Sequence, residues 1–307
     1  DHSAVVSSGF PAQQGRGGVR DATGRSVRSV HARQSPEGSL REAREREALW
    51  RAYFGSGLTV RPPVFEMAES TTRISTVQFL EALESELKAL PVHTNAFFQA
   101  FQRGVTHEQL RRFIQQWYVF GIRFRKILIG LLYNLSDQDE AISLELIRVL
   151  YSEYGEGNRE QVHSQQMLRL VDRLGVDRGG LAREQLYHEA QGYIATVGEI
   201  FLHGDVPSAL GASFGIETTA GLTYRYLYSG LLTFPELSLE DIRFFETHLF
   251  EELHHGGWLR AAVSGYADLD DNREKIRANA LLAMDKWRGL WEGMSRVVLN
   301  PARPHGS

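Results

Sequence analysis

The stretch HEQLRRFIQQWYVFGIRFRKILIGLLYNL, residues 107–135, runs without a proline and carries apolar residues at helical spacing throughout. A segment of this kind spans a domain as one helix. Thr106 and Gln109 have the spacing of a capping box at its start. A helix this long and this apolar has to bury its face against other helices. The periodicity continues on both sides. VQFLEALESELKAL, residues 77–90, reads as a helix ended by Pro91. A further helix runs to about Tyr154, where Gly155 and Gly157 interrupt it. Others are expected at about 160–174, 182–203, 207–233, 238–264 and 271–297, with Ser238-x-x-Asp241 opening one of them after Pro235. No alternating strand run and no Asn-Gly hairpin signal occurs. The expected fold class is all-α, a single helical bundle over residues 75–300.

Ahead of the bundle, residues 1–40 are rich in Gly, Ser, Arg and Gln and show no apolar period, so a disordered leader is expected. REAREREALWRAYF, residues 41–54, reads as a short charged helix broken by Pro62 and Pro63; residues 41–74 form an N-terminal extension and linker. No hydrophobic signal core is visible, and the longest apolar run, Ile127 to Tyr133, is too short to cross a bilayer. A cytoplasmic location is expected.

Composition removes several functions. The net charge is -4, without the basic stripe of a nucleic-acid binder. There are 0 cysteines, which excludes disulfides, thiolate zinc sites, iron–sulfur clusters and a Cys nucleophile together. Any metal must be held by His and carboxylates.

Three stretches offer such ligands. In FFETHLFEELHHGGW, residues 244–258, His248, Glu252 and His255 stand four and three residues apart and so share one helix face. Aromatic and aliphatic residues surround that face, where unpaired polar groups are costly. Glu251 lies near it, whereas His254 is turned away; a solvated face carrying chance histidines is the alternative. In FGIETTAGLTYRYLY, residues 214–228, Glu217 is the only acid between Asp205 and Glu236. A buried carboxylate among small apolar residues calls for a cation, either a metal or Arg225. In LYSEYGEGNREQVH, residues 150–163, Glu153 and His163 stand on either side of a glycine kink that can bring them to one point. Together these supply three carboxylates and three imidazoles from separate helices, a set suited to two iron or manganese ions. Zinc favours fewer carboxylates.

The order Glu-(x)9-His, a lone Glu, then His-x-x-x-Glu-x-x-His resembles the haem-oxygenase-like diiron oxidases, relatives of the TenA and PqqC-type seven-helix proteins. The resemblance covers about residues 75–265 and includes Gln116-Trp117-Tyr118. It implies a haem-oxygenase-like bundle, two non-haem irons, and dioxygen activation on amine or fatty-acid substrates. By position it implies Glu153, His163, Glu217, His248, Glu252 and His255 as metal ligands. The family usually has Asp where Glu252 stands, which keeps Glu251 in play. The span from Tyr118 to Asn134 lacks the extra acid of amine-oxygenating members. Leu227 stands where self-sacrificing members have Lys, which removes that activity.

Arg225 and Tyr224 follow Glu217 by two turns and are the expected substrate-binding residues, Arg225 gripping a carboxylate; Arg123, Arg125 and Lys126 are weaker candidates. The expected activity is oxygenation of a small amino-acid-like substrate, by N-oxygenation of an amine in a biosynthetic pathway. Oxidative C–C cleavage at the same site is the alternative. Iron would react as Fe2+ with O2, with an external electron donor, and manganese could substitute. No nucleic-acid or membrane partner is expected; a homodimer is allowed. From a different class, the chain could be a metal-free TenA- or PqqC-like binding protein. A haem oxygenase proper would use His93 as its proximal ligand and leave the other six residues without a role.

Overall fold

Ser75 opens the first described helix with a reciprocal cap. Its hydroxyl accepts the Gln78 N–H at 3.2 Å, and the Gln78 side chain accepts the Ser75 N–H at 2.9 Å. The computed structural model describes residues 74–135, 137 and 140–300; within 251–256 it describes the helix but not the side chains. The expected leader over 1–40 and nearly all of the 41–74 extension lie outside the described residues.

The chain then builds helices α1 (Thr76–Lys88), α2 (Ala96–Arg103), α3 (His107–Leu135), α4 (Glu140–Glu153) and α5 (His163–Arg173). After a single helical turn, Arg178–Leu181, come α6 (His188–His203), α7 (Val206–Leu231), α8 (Arg243–Ser264) and α9 (Asp270–Leu299). Among the described residues there is no strand. The capping box at α3 forms as its sequence implies: Gln109 N–H donates to Thr106 Oγ1 at 3.2 Å and Thr106 N–H to Gln109 Oε1 at 2.8 Å.

Two helices start later than their periodicity predicts. Ser238 and Asp241 do exchange bonds, with Ser238 Oγ donating to Asp241 Oδ2 at 2.7 Å, but they close a turn, and α8 begins at Arg243. The helix expected from 182 begins at His188, because the loop before it is tied to α3. The Gln116 amide donates to the Gln185 carbonyl at 3.1 Å and accepts from the Tyr187 N–H at 3.3 Å. A backbone held by a side chain in this way does not need helical bonds to be satisfied.

The centre of the bundle is α7. Every residue from Ala209 to Glu217 is buried, as expected of a helix that is apolar on all sides. It packs most extensively on α8 and α9. Its glycines allow close approaches: a Cβ on Gly211 would lie 2.3 Å from the Ile276 carbonyl oxygen on α9, and one on Gly230 would lie 2.2 Å from the Phe101 ring on α2. Beside α7 stands a cluster of rings. Trp291 lies 4.6 Å from Phe98, 5.4 Å from Phe97 and 5.1 Å from Trp117, centroid to centroid. Such pairs contribute ~0.5–1.5 kcal/mol each beyond the area they bury. No helix among the described residues is long and apolar enough to cross a membrane.

Candidate metal centre

The last residue of α4 is Glu153 and the first of α5 is His163. The chain between them reverses through three successive left-handed residues, Gly155 (φ 68°), Glu156 (φ 52°) and Gly157 (φ 84°). Only glycine takes such angles freely, and Gly155 also has no room for a side chain: its Cβ would lie 2.5 Å from the backbone of Gln161 and of Val162. Asn158 caps the short turn that follows, accepting the Glu160 N–H at 3.0 Å. The reversal delivers His163 Nδ1 to 3.1 Å from Glu153 Oε1.

From α8, His248 completes the group. Its Nδ1 donates to the Phe244 carbonyl one turn back at 2.8 Å, so the proton sits on Nδ1 and the Nε2 lone pair faces Glu153 Oε1 at 3.6 Å. The ring packs against Phe244 at 4.1 Å and Tyr224 at 4.4 Å, centroid to centroid. Ligand atoms of Glu153, His163 and His248 all lie within 4.8 Å of one another. His163 is 3% and His248 5% exposed and Glu153 is half-buried, so two buried imidazoles and a partly shielded carboxylate meet at one point.

Their electrostatics fit a cation site. Burial pushes the Glu153 carboxyl up, but the His163 and His248 imidazoles overcome it and hold the group well below the usual carboxylate range. Burial, then the neighbouring His163, push His248 below the ordinary imidazole value, which keeps its Nε2 lone pair available. One anionic oxygen donor and two imidazoles form an N/O set of the kind that holds iron, and the hydrogen bond on His248 Nδ1 is the outer support that ligating histidines carry.

The group lies in the wall of a cavity with an empty volume of about 840 Å³, including the space at its mouth. Glu217, buried at 5% exposure on α7, lines the same cavity without joining the 4.8 Å group. Glu252 and His255 follow His248 on α8 by about one and two turns; their side chains, and that of Glu251, lie outside the described residues. Tyr224 lines the cavity. Arg225 does not: its guanidinium lies 5.7 Å from the Tyr226 ring, because the residue after Tyr224 is rotated about 100° around α7. Among the described residues, the arginine in the lining is Arg125. His93 is also elsewhere, buried with Nε2 2.9 Å from the Leu87 carbonyl.

Much of the lining carried no signal of its own in the sequence. Trp117, Phe120 and Phe124 come from α3, Tyr193 from α6 and Trp287 from α9. These read as core aromatics, and only the meeting of three helices makes them the walls of a cavity. Tyr193 is distinctive among them: it is fully buried and its hydroxyl has no hydrogen-bond partner among the described residues. Burial, then the charge of Glu217, push its phenol well above the ordinary tyrosine value.

This fold and site define a helical bundle with a candidate metal centre. Residues 111–288 match the model of a family described as iron-containing redox enzymes, and the chain belongs to that family. No curated protein matches the chain. Among solved structures, a CADD-like protein of unknown function from Nostoc punctiforme is 19% identical, with a TM-score of 0.62 over 73% of this chain and 99% of that one. A domain of unknown function with a heme oxygenase-like fold from Shewanella denitrificans is 14% identical, with a TM-score of 0.60 over 77% and 100%. A TenA homolog from Pseudomonas syringae pv. tomato is 12% identical, with a TM-score of 0.57 over 72% and 93%. The haem-oxygenase-like fold is therefore shared.

Proposed function

We propose that the chain is a non-haem diiron enzyme that uses dioxygen to oxidise a small amino-acid-like molecule, by N-oxygenation of an amine. One observation carries this: Glu153, His163 and His248, from three helices, converge in the wall of an aromatic cavity within a family of iron-containing redox enzymes. Glu153, His163 and His248 would serve one iron; Glu217, Glu252 and His255 would complete the pair. When bound, the irons supply electrons to dioxygen, and an external donor returns them to the ferrous state.

The chain's own residues do the rest. Glu153, held ionised, would offset cationic charge at the site. Phe244 and Tyr224 fix the His248 ring, so Nε2 meets the site without a search over rotamers. The cavity encloses the substrate beside this group and keeps bulk water from the reacting atoms.

Oxidative C–C cleavage is a second reading, supported by the lining. Phe120, Phe124, Ile216, Met284 and Trp287 offer a substrate an apolar wall near the metal group, where a C–H bond would rest.

Ferrous iron added to the protein without oxygen, with metal analysis and visible spectra before and after oxygen is admitted, tests the diiron reading. Two irons per chain and an oxygen-dependent spectral change are expected. Absence of iron binding, or iron binding unchanged in His248→Ala and Glu217→Ala, would overturn it in favour of a metal-free binding protein. Product analysis, by gain of oxygen on nitrogen or loss of carbon, separates the two reactions.

A further inference from the structure

We propose that Arg125, with Ser164 and Tyr118, forms a carboxylate-binding subsite in the wall of this cavity, and that the substrate is a monocarboxylic acid with an aromatic body, its reacting amine beside the metal group and no cation at its far end. The proposal rests on the reading of this cavity as the substrate site.

The charges in the described lining set the requirement. Two carboxylates are present, Glu153 and Glu217, and both belong to the candidate ligand set. The arginine is Arg125. Its side chain is half-buried, Nη1 donates to Ser164 Oγ at 3.2 Å, and its Cζ lies 4.9 Å from the Tyr154 ring centroid. No carboxylate pairs with it among the described residues. A guanidinium held by one hydroxyl and one ring face retains N–H donors, in a planar fork that fits a carboxylate.

The surroundings fix where that carboxylate would sit. Ser164 follows His163 and lines the same cavity, so the anchor borders the candidate metal group. Tyr118 precedes Arg125 by two turns of α3 and lines the cavity beside it. Burial raises the Tyr118 phenol and the Arg125 charge opposes that rise, so the two groups share one field and the phenol stays a neutral donor.

The body follows from what the rest of the lining lacks. Beyond the metal group and the anchor it is formed chiefly by Trp117, Phe120, Phe124, Tyr193, Met284 and Trp287. Flat ring faces suit an aromatic guest. With Glu153 and Glu217 engaged by metal, no described acid remains in the lining to pair with a second cation at the far end of a substrate, as a lysine- or arginine-like molecule would require.

Binding to the full chain is read by the fluorescence of its tryptophans, two of which line the cavity, under anaerobic conditions with and without ferrous iron. The probes are 3-phenylpropionate, its primary amide, and 5-aminopentanoate. The acid is expected to bind at least ten-fold more tightly than the amide in both metal states. Arg125→Gln is expected to remove that preference and leave amide binding unchanged, whereas Arg123→Gln, an exposed change on the same helix, keeps it. The wild-type comparison of acid with amide stands without any variant, so it survives a failure of Arg125→Gln to fold. Equal binding of acid and amide, absence of binding by both, or 5-aminopentanoate matching 3-phenylpropionate would overturn the proposal. So would an acid preference that arises only with iron and survives Arg125→Gln, because the metal would then be the carboxylate's partner. Failure of the diiron reading looks different: the chain would take up no iron, yet still prefer the acid.

Discussion

Glu153 Oε1 lies 3.1 Å from His163 Nδ1, although a complete reversal of the chain separates the two residues. One terminates a helix and the other begins the next, so their side chains are aimed by two helix axes and a left-handed turn between them. The turn is thus part of the site, and it can be tested apart from the ligands.

Gly155→Ala places a methyl at φ 68° and 2.5 Å from the Gln161 and Val162 backbone. The turn must open to accept it, at a cost of ~1–3 kcal/mol. Lowered thermal stability together with reduced iron binding is expected. Iron binding equal to wild type would show that the turn does not set the ligand spacing. Glu156→Gly is the opposite case: it relieves a non-glycine residue at φ 52°, by ~1 kcal/mol. It should leave iron binding intact and not lower the unfolding temperature.

Tyr193→Phe removes a buried hydroxyl that has no partner among the described residues. Such a group costs ~1–3 kcal/mol of desolvation, so its loss should raise stability by ~1 kcal/mol, or about 2–4 °C in Tm for a domain of this size. Calorimetric scans of the two proteins measure this. A drop of several degrees would mean that the hydroxyl is satisfied in solution.

His93 predicts a pH dependence. Burial lowers its pKa below 6.5, with the Leu87 carbonyl partly opposing the shift. The folded chain therefore binds its proton less readily than the unfolded chain. As pH falls through 6.5 the unfolded state protonates first, and stability declines by up to ~1.4 kcal/mol per pH unit until the folded pKa is reached. Above that range the residue contributes no slope. Urea midpoints from pH 7 downward should fall more steeply for wild type than for His93→Leu; parallel curves would refute the assignment.

Gly211→Ala tests the central helix. Its Cβ would lie 2.3 Å from the Ile276 carbonyl oxygen, so α7 and α9 must separate. Overpacking of this kind costs ~1–3 kcal/mol, and a lower unfolding midpoint is expected. An unchanged midpoint would show that the two helices can part freely there.

Much of this protein is written locally. Apolar spacing gives the helices of the bundle, and Thr106 with Gln109 caps α3 as its pattern implies, because capping depends on residues three apart. The glycines around Glu156 mark a reversal, since left-handed backbone has few occupants. Helix starts were less legible where tertiary contacts intervene: Gln116 on α3 holds the loop before α6, which no window along the chain contains.

The site divides along the same line. Glu153, His163 and His248, three of the six expected ligands, stood out by residue type and spacing and meet in the fold; Glu217 lines the cavity outside that group, and the side chains of Glu252 and His255 lie outside the described residues. Which guanidinium lines the cavity could not be read from residue type and spacing. Arg225 has the appropriate distance in sequence from Glu217, but one residue's rotation takes it past the cavity, while Arg125 is brought in from a helix nearly a hundred residues earlier. The aromatic wall has the same origin. Trp117, Tyr193 and Trp287 look like ordinary core residues until α3, α6 and α9 meet. Sequence determined the helices, their caps and the donor chemistry, which are properties of near neighbours; tertiary packing alone decided the cavity, its charge and its polar anchor, which arise between helices far apart in the chain.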